Sequence, residues 1–250
     1  MKVSIITATY NSEATILDTI RSLESQTYKN IEYIIVDGLS SDSTIELIKS
    51  NKALEPKIIQ EADSGIYDAL NKGIDNATGD IIGFLHSDDL FGYPNAVKDI
   101  VDQFQKSDYA AVYADLEYVS KNDLTSIVRY WKSGPFKKTK LKYGWMPPHP
   151  TFYMKRSLYQ QLGKFDLNFK ISADYDSILR YLWVSNIKVG YLDKVVIKMR
   201  VGGASNNSLK SILQKSKEDR IALKKSKIFW PIALLFKNLT KIPQFLKKTK

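Results

Sequence analysis

A chain of 250 residues with 44% hydrophobic content can bury one good-sized core, or one core with a small appendage. It holds no cysteine, which excludes a disulfide framework and a thiolate metal site and leaves oxygen or imidazole as the donors for any metal. The net charge of +10 is not spread evenly: residues 1–206 hold 25 Lys and Arg against 25 Asp and Glu, residues 207–250 hold 12 against 2, and the whole excess of 12 − 2 lies in the last stretch. A neutral body with a basic end points to an electrostatic anchor, and no nucleic-acid-binding motif accompanies the basic residues.

The N-terminus runs directly into strand-like residues Val3 to Thr7, without the charged stretch, apolar stretch and small-residue cleavage site of a secretory signal, so a cytoplasmic chain is expected. Short apolar runs then alternate with helix-period segments, the pattern of βαβ units and a mostly parallel sheet in an α/β fold. The expected strands are Val3–Thr7, Tyr33–Asp37, Lys57–Glu61, Ile81–His86 and Ala110–Leu116. Ile16, Leu17, Ile20 and Leu23 mark one helix face, and Ile66, Ala69, Leu70, Gly73 and Ile74 another. A third helix starts near Pro94, with Val97, Ile100, Val101 and Phe104 inward. After about residue 117 the alternation breaks down. Ser126–Trp131 and Thr151–Lys155 read as strands, Lys137–Lys142 as a basic loop and Ser172–Trp183 as a helix.

The expected organisation is one domain over 1–206, split into halves 1–117 and 118–206, followed by a basic amphipathic tail over 207–250. The apolar run Ile228–Phe236 is far shorter than the roughly 20 residues a spanning helix needs, so it is expected to lie in a membrane interface. Leu239, Ile242, Phe245 and Leu246 continue at helical spacing, with Lys237, Lys241, Lys247, Lys248 and Lys250 turned toward headgroups. The competing expectation is that Phe229, Trp230 and Leu235 dock on the protein itself.

In open sheets of this kind ligands bind beyond the carboxyl ends of the strands. Three such ends carry polar clusters: Thr7-Ala8-Thr9-Tyr10-Asn11, Asp37-Gly38-Leu39-Ser40 and Ser87-Asp88-Asp89. Each alone has a structural explanation as a helix cap or a turn, whereas three at one sheet edge favour a site. Adjacent carboxylates at Asp88 and Asp89 suit a hard cation, Mg²⁺ or Mn²⁺, which neutralises the charge developing on a nucleoside diphosphate leaving group. Asp37 suits a hydrogen bond from a ring N–H such as uracil's, and Tyr10 offers a face for stacking.

At these residues the sequence resembles a known family. VSIITATYNSEATILDTIRSLESQTYKNIEYIIVDGLSSDST is similar to the opening of family 2 glycosyltransferases, and EADSGIYDALNKGIDNATGDIIGFLHSDD resembles their donor and metal segment, especially in bacterial enzymes of polysaccharide and O-antigen biosynthesis. The resemblance covers roughly residues 1–205. It implies the GT-A fold, an inverting mechanism, a nucleotide-sugar donor, most simply a UDP-sugar, and a Mn or Mg cofactor. Position by position it assigns Thr7, Tyr10 and Asp37 to the nucleoside, Lys72 to donor phosphate or ribose, Asp88 to donor and metal, and Asp89 to metal. Two departures stand out. His86 replaces the first acid of the usual Asp-Ala-Asp-Asp, and Ala173 replaces the usual Glu before the base, which makes Asp174 the expected base and Asp176 the fallback. Capping of the following helix is the structural explanation for the same acids. His149 falls near the expected donor sugar, and Gly202–Ser205 reads as a flap or a simple turn.

The resemblance further implies a hexosyl- or N-acetylhexosaminyltransferase acting on a glycan or polyprenyl-diphosphate-linked acceptor, peripheral at the inner face of an anionic membrane. Two alternatives remain at this level: a catalytically inactive module binding a nucleotide sugar or glycan, and a Mg-dependent nucleotidyltransferase. The absence of a glycine-rich, Arg/Lys-bearing phosphate loop after the first strand weighs against the second.

Overall fold

A computed structural model describes residues 1–51, 53–202 and 209–239. Its centre is a sheet of nine strands: β1 (Val3–Thr9), β2 (Ile31–Asp37), β3 (Lys57–Gln60), β4 (Ile81–Phe84), β5 (Leu90–Phe91), β6 (Ala111–Val119), β7 (Ile127–Trp131), β8 (Tyr153–Lys155) and β9 (Val189–Arg200). The order is β3-β2-β1-β4-β8-β6-β9-β5, with β7 on β6. The α-helices among the described residues are α1 (Ile16–Glu24), α2 (Thr44–Ser50), α3 (Ile66–Asn76), α4 (Ala96–Lys106), α5 (Arg156–Leu162), α6 (Ala173–Ile178), α7 (Leu209–Lys225) and α8 (Trp230–Leu239).

The first four strands in spatial order are parallel, as expected for βαβ units. Beyond β4 the sheet becomes mixed, because β8 and β7 pair antiparallel to their neighbours and only β9 returns parallel to β6. All seven residues of β1 are buried, which suits a central strand covered on both faces by β-branched side chains. Alternation then divides the core: Ile6, Ile34 and Phe84 face α3 and α6, whereas Ile5, Ile35 and Ile81 face α1 and α4.

Details differ from expectation for local reasons. In α1 the buried set is Ile16, Thr19, Ile20 and Leu23, so Thr19 takes the place expected for Leu17. Ile66 is exposed and Tyr67 packs inward instead, its ring tilted against Phe165. Lys138–Tyr143 is a 3₁₀ helix, not a loop, because Leu141 is buried and Gly144 lies directly against the α8 backbone. Strand β9 was not expected: its partner register jumps from Leu192 to Val195, and the exposed Asp193-Lys194 extruded there interrupt the alternation along the strand.

The C-terminal stretch does not stand apart from the body over its described part. Ala222, Leu223, Ile228 and Ala233 join the main core, with Trp230 and Leu234 packed against it. Small and aliphatic residues of α7 and α8 fit the surface made by α6, its π-helical continuation Leu179–Val184 and the 3₁₀ segment. Lys237, expected at headgroups, is buried on Asp219. Gly203–Ser205 and the residues from Lys241 onward lie outside the described residues.

Close packing of this sheet gives a stability prediction. A Cβ at Gly83 of β4 would run into the fully buried Tyr153 ring of β8. Gly83→Ala is expected to cost about 3 kcal/mol, the upper end for overpacking a tight core, read as a lower urea midpoint at unchanged slope.

Candidate active site

The strand register brings the polar clusters to one edge. Thr9 pairs with Asp37, Asp37 pairs with Gln60, and Ile6 pairs with Phe84, so the segments after β1, β2, β3 and β4 emerge side by side. Strand β1 lies between β2 and β4, where the chain order reverses, which is the position at which open α/β sheets form a crevice.

On the β1–β2 side, Tyr10 is 63% exposed and Asp37 is fully buried. Asp37 is the organiser of its turn: Ser40 N donates to Oδ2 at 3.0 Å and Ser40 Oγ to Oδ1 at 2.5 Å. Asn11, with φ of 48°, receives Ser41 N at 2.9 Å and so ties the two loops together. A Cβ at Gly38 would lie 2.5 Å from Asp63 Oδ2, so glycine lets the β3–α3 loop close on this edge beside Tyr10. Lys72 reaches back to that loop, its Nζ donating to the Ala62 carbonyl at 2.5 Å and pairing with Glu61 at 3.3 Å. Thr7, expected at the nucleoside, is turned inside instead. Its hydroxyl donates to the Leu85 carbonyl at 2.6 Å and accepts from Tyr33 at 3.2 Å, locking β1 to its neighbours.

The segment after β4 is held from behind by α1. Ser12 Oγ meets Ser87 Oγ at 2.9 Å, Thr15 Oγ1 donates to the Ser87 carbonyl at 2.9 Å and Thr19 Oγ1 to the Asp89 carbonyl at 2.8 Å. These bonds fix the backbone that carries His86, Asp88 and Asp89. Asp88 is half-buried, whereas Asp89 is fully buried and neither of its carboxylate oxygens has a hydrogen-bond partner among the described residues. Burial and the neighbouring Asp88 push the Asp89 carboxyl well up, against the opposing pull of Arg200. Burial lowers the His86 imidazole, opposed by Asp88 and Asp174. His149 stacks on Phe84 at 5.0 Å between ring centroids, and burial, then His86, brings it down to about 3, so its ring is neutral.

Across the crevice stands the first turn of α6. Asp174 Oδ1 accepts from Tyr67 OH at 3.2 Å and from Tyr175 N at 2.8 Å, and Oδ2 accepts no hydrogen bond among the described residues. Burial pushes this carboxyl up, moderated by Lys237 and Lys215. Asp176 lies two residues on, around the helix, and its carboxylate faces Arg180 at 3.5 Å and Lys225 at 3.9 Å. The crevice therefore brings together Asp88, Asp89, His86 and Asp174, and leaves Asp176 among cations on another face.

Among the described residues no group of three or more His, Asp and Glu side chains converges as a ready metal cage. The donor set still fits a hard cation. Two buried, unpartnered oxygens of Asp89 beside Asp88 are what a divalent ion would satisfy, and all are carboxylate oxygens.

The model of glycosyl transferase family 2 matches residues 4–163. The chain belongs to this family. An uncharacterized glycosyltransferase of Mycobacterium tuberculosis is 32% identical over 180 residues, 71% of this chain and 68% of that protein. A PGL/p-HBAD biosynthesis glycosyltransferase of Mycobacterium bovis is 27% identical over 212 residues, covering 82% of this chain and 79% of the relative. Among solved structures, Staphylococcus aureus TarS 1–349 in complex with UDP-GlcNAc matches with a TM-score of 0.68 at 19% identity, over 89% of this chain and 66% of that one. This chain spans only 40% of the longer TarS structure. The Pyrobaculum calidifontis mannosyltransferase PcManGT, in complex with GDP-Man and Mn²⁺, matches with a TM-score of 0.68 at 17% identity, over 98% and 73%. The fold is that of GT-A glycosyltransferases.

Four crevice residues were not singled out from the sequence. Tyr67 holds Asp174, Asp63 lies on Gly38, Tyr118 is close enough to Asp89 and Asp174 for both to raise its hydroxyl, and Arg200 lies by Asp89 while pairing with Asp18. Tyr67 and Asp63 do carry a signal, since both lie in the Glu61–Asp89 run that resembles the family.

Proposed function

We propose that this chain is an inverting, metal-dependent hexosyl- or N-acetylhexosaminyltransferase that takes a UDP-sugar and glycosylates a hydroxyl of a glycan or polyprenyl-diphosphate-linked acceptor in cell-surface polysaccharide biosynthesis. The observation that carries this reading is the single crevice shared by carboxylates from distant parts of the chain. A chain of ring contacts joins the two sides, from His86 to His149 at 6.3 Å, His149 to Phe165 at 5.3 Å and Phe165 to Tyr67 at 5.4 Å between centroids, and Tyr67 OH donates to Asp174 at 3.2 Å. The UDP-GlcNAc and GDP-Man–Mn²⁺ complexes of the structural neighbours support a nucleotide-sugar donor and a divalent ion.

In this reading Tyr10 stacks on the base at the open edge, Asp37 and Asp63 border it, and Lys72 swings from Ala62 toward the diphosphate. Asp88 and Asp89 would hold the cation, which would supply positive charge to the diphosphate leaving group. Asp174 receives the acceptor proton on Oδ2, while Tyr67 holds Oδ1. The paired carboxylate sites favour catalysis over a mere binding module. The test is a panel of nucleotide sugars in a thermal melt, with and without Mn²⁺. A UDP-sugar is expected to raise the midpoint only with metal, by mass action on the folded state. A panel in which none does so would remove the donor assignment.

A membrane surface is the proposed setting. No helix among the described residues is long and apolar enough to cross a membrane. Yet α8 and the residue before it expose Phe229, Ile232, Leu235, Phe236 and Leu239, and Tyr143 of the 3₁₀ segment packs its ring on Phe236 at 5.3 Å. Lys138 and Lys142, over Trp183, flank this apolar strip with positive charge. Phe229 and Leu235 are exposed, so replacing both with Glu spares the core. Binding to anionic liposomes at low salt is expected to fall at least about tenfold, at roughly 1.4 kcal/mol per decade, in a co-sedimentation assay. Equal binding by the variant and the unmodified chain would refute the interfacial strip.

A further inference from the structure

The C-terminal helices reach the underside of the helix that carries Asp174. Glu218 of α7 accepts hydrogen bonds from Lys170 N at 3.1 Å, Ile171 N at 2.8 Å and Ser172 N at 2.9 Å, so one carboxylate caps the segment leading into α6. Its neighbour Asp219, also buried, accepts from Lys237 Nζ of α8 at 2.7 Å. That ammonium lies 3.3 Å from the centroid of the Tyr175 ring, next in the chain to Asp174. Lys237 is 8% exposed, and a lysine is rarely buried without a purpose that repays its desolvation.

We propose that Lys237 and Asp219 are a positioning pair for the base: from beneath Tyr175 they hold the first turn of α6 in place and set the electrostatic field at Asp174. The family match ends at residue 163, so these helices lie outside it. The inference rests on Asp174 acting as the base, but its physical content can be read without turnover. Lys237 favours the charged carboxylate of Asp174, and Asp219 disfavours it. The charged or titratable groups around Asp174 come from every neighbouring element: Tyr67 of α3, His86 after β4, Tyr118 of β6, Lys215, Glu218 and Asp219 of α7, and Lys237 of α8. Among them only the α7–α8 pair forms a buried ion pair on the turn itself.

The two halves of the pair make opposite predictions. The full chain is labelled with ¹³C-aspartate, and the Asp174 carboxyl resonance is assigned by its absence in Asp174→Asn. Lys237→Met keeps the volume and removes the cation, so the Asp174 titration is expected to move to higher pH, on the order of one unit. Asp219→Asn removes the anion and leaves Lys237 in place, so the titration is expected to move to lower pH. UDP release from UDP-N-acetylglucosamine, measured in parallel, is expected to drop in kcat for Lys237→Met with the donor KM unchanged. Opposite shifts support the pair as a setter of the field. If Lys237→Met does not fold, Asp219→Asn still decides the matter. An unmoved Asp174 titration in a folded variant, even one with a lowered melting point, would reduce the pair to a packing role and overturn the inference. Full activity of Asp174→Asn would instead sink the base assignment while leaving the field measurement standing.

Discussion

Asp174→Asn is expected to lower turnover by about two to four orders of magnitude, the usual contribution of a general base, with donor affinity little changed. The amide keeps the shape and can still accept from Tyr67 and Tyr175 N through its oxygen, so the fold of the α6 turn is retained. What is lost is the oxygen that receives the acceptor proton. Asp176→Asn is expected to stay within a few-fold of the unmodified chain in activity, because that carboxylate faces Arg180 and Lys225 and not the crevice. The pH profile carries the same signature. Burial raises the Asp174 carboxyl above its ordinary 3.8, and a base acts only when deprotonated, so the acid limb of kcat should lie above that of an ordinary aspartate. The sign for stability follows: a carboxyl whose folded value is raised costs stability as pH climbs from the unfolded value through the folded one. Asp174→Asn should therefore melt slightly higher than the unmodified chain at neutral pH. A dead Asp176→Asn beside an active Asp174→Asn would exchange the two roles.

The second large effect is expected at the metal pair. Asp88→Asn and Asp89→Asn should each abolish Mn²⁺-dependent donor binding, a greater loss than the roughly 10- to 100-fold that follows removal of an outer-shell partner. Asp89 is the sharper case. Both of its oxygens are buried and without a hydrogen-bond partner among the described residues, so burial and Asp88 penalise the charged form, with Arg200 opposing them. An amide there should leave the metal-free protein as stable as before, or more so, while erasing the stabilisation by Mn²⁺ and UDP-sugar together. The readout is the melting midpoint with metal alone, with donor alone and with both. Retained synergy between metal and donor in both variants, or full activity in EDTA, would remove these carboxylates from the metal site.

Much of this arrangement was legible in the sequence because it is local. The first strand, expected at Val3–Thr7 and found at Val3–Thr9, the α4 stripe of Val97, Ile100, Val101 and Phe104, and the strand-end clusters at Tyr10, Asp37 and Asp88 follow from periodicities of two and 3.6 and from turn chemistry. What was illegible depends on contacts between distant segments. Thr7 lies in a polar cluster yet points inward, since strand alternation aims it at Leu85 and Tyr33. The β9 bulge at Asp193-Lys194 interrupts the strand alternation, and pairing with β6 on both sides of it makes one strand. Lys237 reads as one more solvated lysine, because nothing near it in the chain announces Asp219 and Tyr175. The charge excess of the last 44 residues likewise concealed two helices whose inner faces complete the core.

The measurement that addresses the central claim most directly is the configuration of the sugar first released. With the UDP-α-sugar that stabilises the protein in the melt, and with Mn²⁺, water serves as a slow acceptor, and proton NMR follows the anomeric signal before mutarotation equilibrates it. The account predicts that the β-anomer appears first, that release stops in EDTA and that it falls with Asp174→Asn. Release of the α-anomer first, or release undiminished by EDTA and by Asp174→Asn, would contradict it.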